Sequence, residues 1–141
     1  MRLTKAVLCF IFSLPAISIA ATDAECLKHL GGAFFGVECY NGLSNDIAAE
    51  NIILINKINA TIPNGNNDKI LLRQYERHKT ESKKYCQLSS DSMNDWKRQK
   101  HTINPRYYDY DVVYYECIYD ISVSQNKFLK NLLSNASQEN Q

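Results

Sequence analysis

The residues that most often do chemistry in proteins are few in this chain, and they are not spaced for it. His29, His78 and His101 are far apart, and no two of them have the spacing of metal ligands. The chain has no Gly-x-Ser-x-Gly nucleophile motif, and no pattern singles out a catalytic pair among its 15 Asp and Glu residues. We therefore predict that the protein is not an enzyme and holds no metal and no other cofactor.

The first 20 residues have the pattern of a secretory signal peptide. Arg2 and Lys5 precede an apolar run over residues 6–14, and small residues follow at 18–20. This stretch is too short for a stable membrane span. We expect it to be removed, which leaves a periplasmic or secreted protein that is not anchored in a membrane.

Four cysteines follow the leader, and the fifth, Cys9, lies within it. An even number of cysteines in a small exported chain predicts two disulfides, each worth roughly 3–4 kcal/mol in loop-closure entropy. Three pairings remain open. The four predicted disulfide cysteines are Cys26, Cys39, Cys86 and Cys117.

The charge balance excludes one class of partner. Loss of the leader reduces Lys plus Arg from 16 to 14 against 15 acids, a net charge of about −1. Such a chain has no electrostatic basis for binding nucleic acid. The remaining residues, 21–141, are enough for one domain with a modest core.

Helical spacing of apolar residues organises the second half of the chain. The clearest helix begins near Tyr110 and fades into a polar tail from about residue 134. Its predicted buried face is Tyr110, Val113, Tyr114, Cys117, Ile118, Ile121, Gln125, Phe128, Leu129 and Leu132.

Further helices are predicted at about 45–60, with Ile47, Leu54, Ile55 and Ile58 on one face, and from Asp68 to Cys86, with Leu71, Tyr75, His78, Ser82 and Tyr85 on one face. A shorter helix is predicted from about Ser90 to Lys100, and residues 23–30 are expected to form one or two turns before Gly31 and Gly32. The fold class is therefore all-α: a small disulfide-stapled bundle of four to five helices.

An unusual cluster of tyrosines and acids precedes the last helix. Pro105 prevents a continuous helix, so the segment is expected to be a loop. Tyrosine supplies large contact area at low entropy cost, which favours a protein-binding role. The alternative is that Tyr107 and Tyr110 pack on the core while Asp109 or Asp111 caps the helix. The predicted contact residues are Tyr107, Tyr108, Asp109, Tyr110 and Asp111, with the 64–67 turn as second choice.

Residues 71–86 and 114–129, with the order of the four cysteines, resemble the LprI-type lysozyme inhibitors, which are small exported helical proteins. The chain departs from that family at His78, where a tryptophan is usual, and at residues 82–83, where an Arg-Asp pair is usual. Ser122 and Gln125 stand for a Thr and an Arg, whereas Leu129 matches.

The resemblance implies an inhibitor or immunity protein that blocks a peptidoglycan-cleaving muramidase. The partner would then be a protein, and we leave open whether the chain also forms a homodimer. The alternative function is a secreted carrier of a small apolar ligand. A carrier should enclose an apolar pocket, whereas an inhibitor should be solid and present an aromatic and acidic edge.

Overall fold

The computed structural model describes residues 26, 32–101 and 107–138, and within these ranges all regular structure is helical. The elements are α1 (Ala33–Thr61), α2 (Asp68–Ser82), a short 3₁₀ helix (Lys83–Tyr85), α3 (Cys86–Met93) and α4 (Asp109–Gln138). The predicted all-helical class is confirmed. The predicted leader and most of the predicted turns at 23–30 lie outside the described residues.

The number of separate helices was predicted wrongly. The segments α2, the 3₁₀ helix and α3 follow one another without a gap and form one middle rod, so the described residues make three helical rods and not four to five. α1 starts at Ala33 and not near residue 45, because Val37 and Tyr40 continue its buried face toward the N-terminus. Gly32, with φ of 78°, marks its beginning.

Two disulfides are present, as predicted. Cys26 is joined to Cys39 and Cys86 to Cys117, with Cα–Cα distances of 5.6 and 5.5 Å. The first ties the residues before α1 to that helix, and the second ties the middle rod to α4. None of the helices in the described ranges is long and apolar enough to cross a membrane.

The central packing is a parallel pair formed by α1 and α4. The residue numbers of the contacts increase together on both helices, from Tyr40 with Glu116 to Asn51 with Asn126. The α1 positions that face α4 alternate in steps of three and four residues, as in a coiled coil. They are Val37, Tyr40, Ser44, Ile47, Asn51, Leu54 and Ile58.

The buried face of α4 differs from the predicted one. Its buried residues include Asp111, Tyr115, Ser122 and Asn126, none of which was expected inside. The error has a physical cause. The middle of the α1–α4 interface is polar, so the spacing of hydrophobic residues predicted a buried face that is rotated from the true one around the axis of α4. Phe128, which was predicted to be buried, is 46% exposed.

A polar layer therefore divides the core into two apolar clusters. The layer consists of Ser44, Asn51, Ser122, Gln125 and Asn126. The first cluster, on the N-terminal side of α1 and α4, contains Cys26, Val37, Tyr40, Leu43 and Tyr115. The second cluster contains Leu54, Ile58, Leu72 and Leu129.

The predicted faces of the middle rod also need correction. Leu72 is the buried residue of α2, whereas Leu71, His78 and Tyr85 are exposed. α3 ends at Met93, so the helix predicted up to Lys100 does not form. The chain turns there because the Asp91 carbonyl accepts the N–H groups of Asn94 and Trp96, at 3.1 and 2.7 Å.

Candidate functional site

The predicted contact segment lies at the start of α4. Tyr108 is 51% exposed and Asp109 is exposed, whereas Tyr107 and Tyr110 are partly buried. The rings of Tyr108 and Tyr110 stack with their centroids 5.1 Å apart. This segment therefore presents aromatic surface and the exposed Asp109 carboxylate outward.

Asp111, the fifth residue of the segment, points inward. Its Oδ2 accepts the backbone N–H of Tyr108 at 2.8 Å, as the acid of a capping box does at the start of a helix. Its Oδ1 lies 2.8 Å from Nδ1 of His101, and the His101 ring stacks on Tyr114 at a centroid distance of 3.9 Å. Asp111 is thus part of the support beneath the exposed tyrosines.

The start of α1 extends this surface with two phenylalanines. Phe34 and Phe35 are both about half exposed, and Phe34 lies 5.6 Å from Tyr107 between ring centroids. The Tyr107 hydroxyl donates to Glu38 at 3.2 Å, which joins α4 to α1. We name this surface the aromatic end and define it as Phe34, Phe35, Tyr107, Tyr108 and Tyr110.

Sequence reasoning missed the two phenylalanines. The signal for them was present, because the adjacent aromatic pair directly follows two glycines at residues 31–32. The expectation that helical structure would stop at those glycines placed Phe34 and Phe35 in a connecting segment. Only the parallel packing of α1 and α4 brings the two helix starts together.

The helices that carry the aromatic end are strongly acidic in their first halves. Residues 33–50 and 107–126 contain seven Asp and Glu residues and neither Lys nor Arg. The middle rod and the segment that follows it are the opposite, because residues 68–100 contain nine Lys and Arg residues against five acids. A net charge near zero therefore hides two faces of opposite sign.

Tyrosine protonation at the aromatic end suits hydrogen bonding. Burial raises the pKa of Tyr110, and the neighbouring Asp111 carboxylate raises it further. Burial also raises the pKa of Tyr115, together with the charges of nearby groups such as Tyr107 and Asp111. Both phenols therefore stay protonated to a higher pH than an ordinary tyrosine does, and each keeps a hydroxyl.

A groove of about 350 Å³ runs beside the aromatic end, between α1, α3 and α4. Its walls are apolar, and Asp109 and Glu116 contribute carboxylates. At its floor the two helices approach closely, because a Cβ on Gly36 would lie 3.1 Å from the Val112 side chain. Met93 also lines the groove, so the end of the middle rod adjoins the start of α4.

A second, mostly apolar groove of about 300 Å³ lies at the other end of the molecule. It is open to solvent and is lined by residues that include Ile58, Leu71, Tyr75, Phe128 and Leu132. Burial raises the pKa of Tyr75, whose Oη has no hydrogen-bond partner among the described residues. We name it the apolar groove.

The two segments that were predicted to contact a partner, residues 107–111 and the 64–67 turn, lie far apart in the structure. Residues 64–67 form an exposed turn after α1, at the apolar-groove end. The length of α1 puts them roughly 40 Å from the aromatic end at 1.5 Å per residue. The two segments therefore do not form one surface.

Within the described ranges, no group of three or more His, Cys, Asp or Glu side chains is placed to hold a metal ion. Hydrogen bonding, aromatic contact and charge are the means of recognition that the aromatic end offers. Comparison of the chain with protein-family models, with curated proteins and with solved structures found no match.

Proposed function

We propose that the protein is an exported inhibitor or immunity protein that binds a lysozyme-like muramidase and blocks it. The observation that carries the proposal is the aromatic end, where exposed rings from two helices stand on an acidic and internally braced base. Such inhibition needs no catalytic group, because occupying the substrate cleft is sufficient.

The aromatic end has the physical properties of a binding hot spot. Phe34, Phe35 and Tyr110 lie in the first turns of α1 and α4, and Tyr107 and Tyr108 are fixed beside them by the bonds to Glu38 and Asp111, so little side-chain and backbone entropy remains to be lost on binding. Tyrosine and phenylalanine bury large areas, and the neutral tyrosine hydroxyls add hydrogen bonds. A contact of this kind stays tight when its supporting groups are already paired, as Asp111 is.

The charge pattern and the resemblance together favour a muramidase as the target. Lysozyme-type surfaces are often basic, and acids around the aromatic end would accelerate encounter with such a protein. The resemblance of residues 71–86 and 114–129 to LprI-type inhibitors points to the same class of enzyme. An immunity protein against a rival's delivered wall hydrolase would use the same surface.

The direct test mixes the oxidised mature chain with a panel of muramidases and follows the turbidity of a cell-wall suspension. We expect slower clearing with at least one enzyme, and no slowing with any of them would refute the proposal. The double variant Tyr108→Ala/Asp109→Ala should weaken inhibition while leaving Tm nearly unchanged. Tyr85→Ala, which removes a tyrosine of the middle rod that is 66% exposed against 51% for Tyr108, is the control and should inhibit normally.

The carrier alternative is supported by the apolar groove alone. The groove is at the lower limit of ligand-site volumes and is open along one side, whereas a carrier usually covers most of its ligand. If the protein were a carrier, a fluorescent fatty-acid analogue would bind it, and Leu71→Asp would abolish that binding. Absence of binding to the wild-type chain would remove the alternative.

A further inference from the structure

Trp96, the only tryptophan of the chain, is 70% exposed, more than any other large apolar side chain among the residues that the structure describes. It follows α3 on a turn in which Asp95 and Trp96 have φ of 52° and 60°. Asp tolerates this left-handed conformation, but a bulky residue is uncommon there and is strained. The fold thus holds a large apolar ring in solvent on unfavourable backbone.

A buried acid, Asp91, forms hydrogen bonds to both sides of the turn. Asp91 is 6% exposed, and its carbonyl accepts the Trp96 N–H. Its carboxylate accepts the Gln87 amide at 2.7 Å and the Gln99 backbone N–H at 3.4 Å. The Gln87 amide also donates to the Gln99 carbonyl, which closes the base of the turn.

The turn stands next to the aromatic end. Met93, just before it, lines the same groove as Asp109. His101, just after it, is bonded to Asp111 at 2.8 Å. The Trp96 turn thus lies between Met93, which lines the groove beside the aromatic end, and His101, which is bonded to the first turn of α4, so a partner seated on the aromatic end would be within its reach.

The charges around Trp96 are opposite in sign to those of the aromatic end. Lys97, Arg98 and Lys100 follow the ring in sequence, and of the acids only Asp95 lies between Met93 and His101. The Lys97 amine lies 3.9 Å from the Asp95 carboxylate, but both side chains are largely exposed, so this pair is weak. The turn thus presents a flat aromatic ring flanked by cations.

We infer that the Trp96 turn, residues 94–98, enters the saccharide cleft of the muramidase, which makes the inhibition competitive with substrate. A glycosidase cleft contains sugar subsites and a pair of carboxyl groups. A flat aromatic ring has the shape of a sugar ring, and Lys97 and Arg98 complement the carboxylates. The inference rests on the proposed function and extends it, with the aromatic end binding the rim and Trp96 the cleft.

The test uses a soluble chitooligosaccharide substrate and the muramidase that wild type inhibits. Wild type should raise KM and leave kcat unchanged. Trp96→Gly should weaken inhibition by about 30-fold, as expected for loss of a hot-spot residue. It should not lower Tm, because glycine adopts the left-handed conformation without strain. Trp96→Asn, also suited to this backbone, should behave alike, and Leu88→Ala on the exposed side of α3 should inhibit as wild type does.

Each contrary outcome has a separate meaning. Undiminished inhibition by Trp96→Gly, or inhibition that lowers kcat without raising KM, would overturn the inference and leave the proposed function standing. A blue shift of Trp96 emission on adding the chitooligosaccharide without enzyme would show that the turn binds glycan directly, which also overturns it. Failure of wild type to slow any muramidase would remove both.

Discussion

The two core clusters on either side of the polar layer are stabilised in different ways. The first cluster includes Cys26 and has Cys39 packed against it, and Cys117 lies on the same side of the polar layer. The second cluster has no crosslink and consists of aliphatic side chains from all three rods. Covalent bonds therefore lie close to the aromatic end, where pre-organisation favours binding, whereas packing alone closes the apolar-groove end.

The largest expected effect concerns the crosslinked side. Cys86 and Cys117 are 31 residues apart in sequence. Replacing both by serine opens the loop that their disulfide closes and should lower the free energy of unfolding by about 4 kcal/mol. The same change at Cys26 and Cys39, with a separation of 13, should cost about 3 kcal/mol. Urea unfolding followed by circular dichroism measures both. If replacing Cys86 and Cys117 left the free energy of unfolding nearly unchanged, packing and not the disulfide would stabilise the first cluster.

On the other side, Leu129 is the most deeply buried member of the second cluster. It is fully buried in the second cluster, so Leu129→Ala should lower the free energy of unfolding by about 3 kcal/mol through lost burial and a residual cavity. Phe128→Ala, next to it but half exposed, is the control and should cost clearly less. If the two variants lost equal stability, the second cluster would not be the closed core described above.

The sequence predicted this structure well where the buried residues are apolar and poorly where they are polar. The two disulfides and the helical class follow from cysteine number and apolar spacing, and the structure confirms both. The buried faces of α2 and α4 could not be predicted from apolar spacing. α2 buries Leu72 with little other apolar support, and α4 buries Ser122 and Asn126, which hydrophobic spacing counts as surface.

The candidate site shows the same limit. The tyrosine-rich segment was visible in the sequence because its composition is unusual, and Tyr108 and Asp109 are exposed. Phe34 and Phe35 joined it only through the parallel pairing of two helices that are distant in sequence. Trp96 falls within the helix that was predicted up to Lys100, and its place on a turn depends on the buried Asp91, an interaction that no local pattern reveals.

The boundary between the two clusters gives a sharper test. In the polar layer, the Asn51 amide donates to the Ser122 carbonyl at 3.1 Å, and its Oδ1 accepts from Asn126 at 2.9 Å. Asn51→Ala removes both bonds and leaves a space in the buried layer, while the Asn126 amide keeps its bond to Glu50, so the change should cost about 2 kcal/mol. Asn56→Ala, on the exposed side of α1, should change little. Equal unfolding free energies for the two variants would mean that the layer has no structural role.

The smallest effect is expected at the edge of that layer, where Glu50 bonds to Lys130 at 2.8 Å and accepts from Asn126 at 2.9 Å. The Lys130 bond is the main cause that lowers the pKa of Glu50 below its ordinary 4.5, the Asn126 bond adds to it, and burial opposes both. The ionised carboxylate therefore stabilises the folded state above pH 4.5, and this contribution is lost as pH falls through the lowered pKa.

Since Glu50 is about half exposed, solvent screening limits its contribution to at most about 1 kcal/mol. Glu50→Gln should thus be slightly less stable than wild type at pH 7, and the difference should shrink as the pH approaches 3. Urea unfolding of both proteins at the two pH values measures this. If the difference in unfolding free energy between the two proteins were the same at both pH values, the shape and hydrogen bonds of the Glu50 side chain would account for it. The charge of Glu50 would then not stabilise the polar layer.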